Sequence, residues 1–434
     1  MDTSCQKQTM CEVGAGPLVA TASCLQFFES DDPTRRFGPD ELEPILAMDV
    51  PTVARPAPVQ PGENAVTDAV GRLEELIAAV PDPIGADDVP NEAVRHDIDR
   101  AREIARHRRD ALAGAMDGFH RMRRSIHARR YAGEAAVAFE AVTDDRSLND
   151  VETEREAVTA RLEQRRSGIT HRGTDLQRTL LLGAHRESEL ATAGRWLGNR
   201  PRHGTNGALV VGELGGAVEQ ARAAMAFSDE LERRHEARLT DARSFESQFE
   251  TALERSLDAI DAADVPDRST DLIESVDADI SGTIAERVLH EGAIALSRAS
   301  EQTVNKAADG ETAAALRTAC AFERDRRAFE RIRKQVEDGA HRTLETVDDV
   351  RDVRESAVEI AADVPFSPDE PSLGGDLLAD GYNRLEQLDG QIRDLLHRDW
   401  ETSLEHEYAL YVVIGAQLEA IPDGISAFDG RLEE

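Results

Sequence analysis

"RAREIARHRRDALAGAMDGFHRMRRSIHARR", residues 100–130, decides how this chain is read. Ile98 stands just before it, and Ala105, Leu112, Phe119 and Ile126 follow at intervals of seven, with Ala101, Ala115 and Met122 in the companion column. Apolar residues at this spacing share one face of a helix and form a coiled-coil-like seam. Arg108 and Arg129 interrupt the seam, so it is not a continuous rod. Similar stripes recur downstream. Phe322, Phe329, Val336 and Val350 form another seven-residue column, and Phe227, Leu231, Phe245, Phe249, Leu253 and Leu257 form a third stripe. Leu385, Leu388, Ile392 and Leu395 follow the 3-4 spacing, ahead of the apolar run "YALYVVI" (408–414). Such short, irregular seams predict antiparallel helices folded on one another. The expected fold is all-α: an elongated antiparallel helical bundle, partly coiled coil, in two halves.

The composition favours helix for the same reason. The apolar share is rich in Ala, aromatics make up only 4%, and Asp, Glu and Arg are abundant. Ala and unbranched side chains lose little entropy in a helix. The 434-residue chain carries a formal charge of -34, and its only lysines are Lys7, Lys306 and Lys334. Self-repulsion at that charge is costly in dilute salt, whereas at about 1 M the Debye length shrinks to about 3 Å. Excess carboxylate with scarce Lys therefore points to the salt-filled cytoplasm of an extreme halophile.

Punctuation divides the chain. Seven prolines lie between Pro33 and Pro61, so residues 1–62 are expected to be mostly disordered, with a short helix around "GPDELEPILAM". Residues 63–197 form one helical half, "GNRPRHGTNGALVVGELGG" (198–216) a Gly-rich linker, and residues 217–434 a second half. In that second half, helices are expected over about 217–262, 270–308, 311–363 and 375–420. The breaks "AAVPDP", "AADVPD", "AADVPF" and "EAIPDG" share a form, because the residue before proline is pushed out of the α region. "AREIARHRRDA" (101–111) and "ACAFERDRRAF" (319–329) share four identities, which suggests duplicated helical units.

"AFERDRRAFERIRKQV" (321–336), "YNRLEQLDGQIRDLLHRDWETSL" (382–404) and "LYVVIGAQLEAIP" (410–422) resemble an uncharacterised family of haloarchaeal helical proteins. The resemblance implies helix seams and no activity or site residues.

The residues leave little room for chemistry. Asp117/His120, Glu232/His235, Asp338/His341 and Asp394/His397 have the spacing of carboxylate-histidine metal pairs, but so acidic a chain yields such pairs by chance. Cys5, Cys11, Cys24 and Cys320 fit neither a disulfide framework nor zinc spacing. "GALVVGELGG" lacks a dinucleotide or phosphate-loop signature, and no G-x-S-x-G occurs. No catalytic residue, cofactor, metal or small-molecule substrate is indicated, and no apolar run is long enough to span a membrane.

Two surfaces stand out. The basic face of residues 95–130, carried by Arg102, Arg108, Arg109 and Arg123, flanks the seam and suits an acidic helix. Nucleic acid is disfavoured as its partner, because phosphate affinity falls steeply with salt. The second surface is the C-terminal stripe of Leu385, Leu388, Ile392 and Leu395 with Tyr408 and Tyr411, expected to dock against another part of the chain, a partner or a second copy. The expected function is that of a non-catalytic cytoplasmic scaffold or protein-interaction protein acting through helix faces. The alternative is a DNA-associated regulator using residues 95–130.

Overall fold

A computed structural model describes residues 35–144, 146–202, 207–263, 265–266, 271–274, 276–277, 279–341, 343–398 and 400–433. The expected disorder of residues 1–34 lies outside these. The fold is all-α. Helix α1 (Pro39–Leu42) runs into a 3-10 turn (Glu43–Leu46), and an extended strap leads from there to Gly62. The first half comprises α2 (Glu63–Ala78), α3 (Glu92–Asp110), α4 (Gly118–Thr143), α5 (Leu148–Ser167), α6 (Leu176–Gly198) and α7 (Gly207–Glu236). The second half comprises α8 (Glu246–Asp261), α9 (Asp271–Glu274), α10 (Ile284–Ala308), α11 (Thr312–Glu337), α12 (Val347–Asp363), α13 (Leu373–Leu395), α14 (Glu405–Glu419) and α15 (Ile421–Glu433). Two short strands, β1 (Arg172–Gly173) and β2 (Arg243–Ser244), pair antiparallel where the halves meet.

Helix starts follow local chemistry. Asn91, Asp117, Asp175 and Ser372 each accept backbone N–H bonds at an N-terminus, while Ser147 with Asp150 and Thr346 with Asp349 form capping boxes. Each cap satisfies donors that a helix leaves open.

The seven-residue column of the opening stretch is buried throughout: Ile98, Ala105, Leu112, Phe119 and Ile126 are almost wholly covered. It is not one seam, however. A 3-10 turn at Ala111–Gly114 redirects the chain, so Ile98, Ala105 and Leu112 pack with α2, while Phe119, Met122 and Ile126 pack with α6 and α7.

Two boundaries differ from expectation. The expected linker is helical from Gly207 onward, because its glycines let α7 lie directly on α4. A Cβ at Gly212 would meet Ala138, one at Gly215 Val137, and one at Gly216 the Arg130 carbonyl, so the two helices run antiparallel at close range. The strap is also ordered by contacts. Phe37, Leu42 and Ile45 are fully covered, and Phe37 exchanges backbone bonds of 2.9 and 3.1 Å with Thr402. Farther along, Gln60 bonds Asp117 and Gly62 N–H donates to Glu230. The strap therefore joins the second half to the first. Proline here excludes helix without excluding a fixed place.

The expected helix over 217–262 is interrupted between Glu236 and Glu246, and that over 311–363 between Glu337 and Val347. The break at "EAIPDG" leaves one residue between α14 and α15, with Pro422 in the new first turn, where a missing N–H costs nothing. In the second half α10 and α11 form a hairpin, α12 lies on α14, and one continuous core runs through α8 and α10–α15. Leu180 and Leu181 of α6 enter that core, and Ala184 packs on Ala313 and Ala314, which joins the halves.

Candidate functional site

The C-terminal stripe is interior. Leu385, Leu388, Ile392, Leu395, Tyr408 and Tyr411 are all buried in the core of the second half. Of the occupants expected for that stripe, the one present in the structure is the chain itself: α12, α14 and the rest of that core cover α13. Tyr411 shows how closely: its hydroxyl donates to Asp389 at 2.8 Å, while Arg354 holds both Asp389 oxygens at 2.8 and 2.6 Å. Arg354 also donates to the Met48 carbonyl of the strap.

The basic block divides into two populations. Arg102 is 2% exposed, ties α3 to the preceding loop through Pro81 and Asp82 and pairs with Asp99 one turn earlier in α3, so it belongs to the interior rather than to a basic face. Arg123 is half-buried on Glu189 of α6 at 2.6 Å. Arg109 pairs with its neighbour Asp110. By contrast Arg100, Arg108, Arg121 and Arg124 are exposed, and no carboxylate among the described residues pairs with any of them.

Of these, Arg108 borders an aromatic cluster, which it shares with the buried Arg130. Arg108 and Arg130 lie over the Tyr131 ring at 5.1 and 4.8 Å, and Arg130 lies 3.9 Å from the Trp196 ring centre. A guanidinium over a ring gains about 0.5–2 kcal/mol. His127 is exposed at this surface, and partial desolvation with the charges of Arg108, Arg123 and Arg130 holds its imidazole below the ordinary value against the pull of Glu189. Residues of α3, α4 and α6 thus converge on one electropositive patch of an acidic molecule. The sequence showed the arginines but not Trp196, which lies 66 residues beyond Arg130 and reaches it only through helix packing.

A second charged constellation is internal. Arg317 clasps Asp376 with bonds of 2.7 and 2.9 Å, and Arg55 of the strap bonds both Asp376 and Asp380. Arg324 bonds Asp325 at 2.7 Å and Asp380 at 3.3 Å, and Gln417 donates to Asp325. Burial opposes ionisation of Asp376, but Arg317 and Arg55 outweigh it and hold the carboxyl below its usual range. Burial pushes the Cys320 thiol up, away from nucleophilic chemistry. The only sequence sign of this network is the pair Asp376 and Asp380, one helical turn apart within "GGDLLADGY".

Of the carboxylate-histidine pairs, only Asp117 and His120 bond each other through their side chains among the described residues. Asp117 caps α4 and binds His120 at 2.7 Å, which helps hold its carboxyl near a pKa of about 2 despite burial. His235 bonds the Arg172 carbonyl, and His341 the Tyr408 hydroxyl. Among the described residues, no group of three or more His, Cys, Asp or Glu is placed to hold a metal, and no helix is long and apolar enough to cross a membrane. Two open clefts of about 430 and 420 Å³ lie beside α11 and between the starts of α6 and α13. In the first, Arg326 and Arg431 are already held by Glu323.

Residues 64–241 match a domain of unknown function (DUF8262), and residues 246–430 match a second (DUF8264). The border between the two falls at the β1–β2 pair. No curated protein and no solved structure matches the chain.

Proposed function

We propose that this protein is a non-catalytic helical interaction protein whose partner binds the arginine-aromatic patch of α3, α4 and α6. One observation carries the reading: Arg100, Arg108, Arg121 and Arg124 are exposed in a chain of charge -34, and no carboxylate among the described residues pairs with them. An acidic molecule has carboxylates to spare, so arginines left exposed along α3 and α4 suit an acidic helical partner. The excess of acid over base and the near absence of Lys support a salt-rich cytoplasm as the working environment, and with it the haloarchaeal resemblance. The scaffold acts through the first half, while the second half uses its best apolar stripe for its own core.

A second reading, a DNA-associated regulator, draws on the same patch, because Tyr131 and Trp196 beside guanidiniums resemble a base-stacking platform. It is the weaker one, since counterion release loses its driving force in molar salt. Affinity capture in about 2 M KCl separates the two. The interaction reading expects an acidic protein to be retained by wild type and lost with Arg108→Glu and Arg124→Glu. Retention of duplex DNA at that salt, lost in the same variant, would replace it with the regulator. Capture unchanged by the variant would move the partner site elsewhere.

A further inference from the structure

His171 sits where the first half hands over to the second. It stands beside β1, its backbone N–H donates to Glu246 Oε1 at 2.6 Å, and its carbonyl accepts the Phe245 N–H at 2.8 Å. Its ring lies between two carboxylates. Nδ1 is 2.8 Å from Glu246 Oε2, and Nε2 is 3.0 Å from Glu187 Oε1. A neutral imidazole has one N–H and one lone pair, so it satisfies only one of these oxygens and turns a lone pair on the other. Only the imidazolium donates to both.

The two carboxylates belong to different halves. Glu187 is on α6 and Glu246 opens α8. Glu187 also accepts the Ala314 N–H of α11 at 2.7 Å, so the bonded chain runs from α8 through the ring to α6 and on to α11. The ring is enclosed, its side chain 6% exposed and packed on Phe249 at 5.2 Å, and Glu187 is as buried, whereas Glu246 reaches it from the surface with 41% of its side chain exposed. The charged groups facing it are Glu246 from α8 and Glu187 from α6. Behind Glu187 stands Glu311, just before α11, itself paired with Lys306 of α10.

We propose that His171 is a proton-dependent clip between the two halves, tying α6 to α8 as an imidazolium and releasing them when it loses its proton. Burial opposes the charged ring, but Glu187 and Glu246 outweigh it and raise its pKa above the ordinary imidazole value. A group raised in this way stabilises the docked state fully below its free pKa, and the gain disappears as pH rises through the docked pKa. Each unit of difference is tenfold in the docking constant. His406, on Glu291, is raised in the same sense but is far more exposed, and His185 and His341 are lowered and act only in acid.

The test uses the full chain with 15N-labelled histidine and limited proteolysis of the 237–245 connection at about pH 6 and about pH 9. The clip predicts both His171 ring nitrogens protonated at the lower pH, and cleavage faster at the higher, by tenfold for each unit by which docking raises the His171 pKa. Glu187→Gln keeps the Ala314 bond through its amide oxygen and offers Nε2 a donor, so this variant should tolerate the neutral ring and resist cleavage at both pH values. His171→Gln should be cleaved alike at both. A neutral His171 ring at about pH 6, or a wild-type cleavage rate independent of pH, would overturn the proposal. So would a Glu187→Gln protein as pH-sensitive as wild type.

Discussion

In the first half, α4 and α7 approach so closely that a Cβ on Gly216 would lie 2.6 Å from the Arg130 carbonyl oxygen. In the second half, α10 and α11 are packed through Leu289, Leu296, Phe322, Phe329 and Ile332 around a core that continues into α12–α15. The first solution brings backbones together over small residues and leaves several separate apolar clusters. Charged side chains fill the gaps: Glu219 of α7, almost wholly buried, takes Arg129 at 2.9 Å, Arg72 at 3.3 Å and Arg222 at 3.1 Å. The second solution buries large side chains in one mass. An Ala-rich, aromatic-poor chain can therefore build two kinds of interior, and the two should fail differently.

The largest expected effect is in the second half. Ile392→Asp places an unpaired charge in the continuous core, at a cost of about 4 kcal/mol or more. Calorimetry should lose the second-half transition, while in a Trp400→Phe background the Trp196 fluorescence, reporting the first half, persists. A variant melting like wild type would mean the core is not continuous through α13.

Acid should weaken the first half through Glu219. Burial opposes ionisation of Glu219, but Arg129 and Arg72 bring its pKa down to about 2. A lowered carboxylate stabilises above its ordinary pKa and loses that contribution as pH falls towards the folded value. We expect about 3 kcal/mol to disappear between about pH 4.5 and about pH 2, and most of that slope to be absent in Glu219→Gln. Urea melts across this range decide it, and equal slopes in both proteins would assign the acid sensitivity elsewhere.

Gly216→Ala should cost less, about 1–2 kcal/mol, because overpacking is partly offset by better helix propensity. The loss should appear in the first-half transition alone. A gain in stability would show that α4 and α7 separate without penalty.

The smallest effect is expected at the surface. Arg108→Glu with Arg109→Glu should cost about 0.5–1 kcal/mol, chiefly the Arg108–Tyr131 contact, since neither guanidinium is buried, whereas Arg102→Ala should cost several times as much. Thermal melts in about 2 M KCl compare the three. A large loss in the double variant would return these arginines to the interior.

The same contrast explains what the sequence discloses. Large apolar residues at helical spacing announce their burial, so the Ile98–Ile126 column and the Leu385–Leu395 stripe are legible as covered faces. Whether another chain or this one does the covering is decided by α12 and α14, which no local spacing encodes. The α4–α7 contact is invisible for the opposite reason. Gly212, Gly215 and Gly216 read as a linker by propensity, and only a partner surface of Gly133, Val137 and Ala138 turns them into a packing face. His171, Glu187 and Glu246 lie 16 and 75 residues apart, and Arg55 and Asp376 are farther still. Charged residues this frequent carry no positional signal until the backbone brings them together.

The strap has a consequence for how the chain is made. Arg55 is translated 321 residues before Asp376, and Phe37 earlier still relative to Thr402. At about 5–20 residues per second, about 15–60 s pass between strap and receptor at the ribosome. The first half can close in that interval, but Phe37, Leu42 and Ile45 stay bare, because their places are built by residues not yet synthesised. The second half is in effect written on both sides of the first, so the order of synthesis is not the order of assembly.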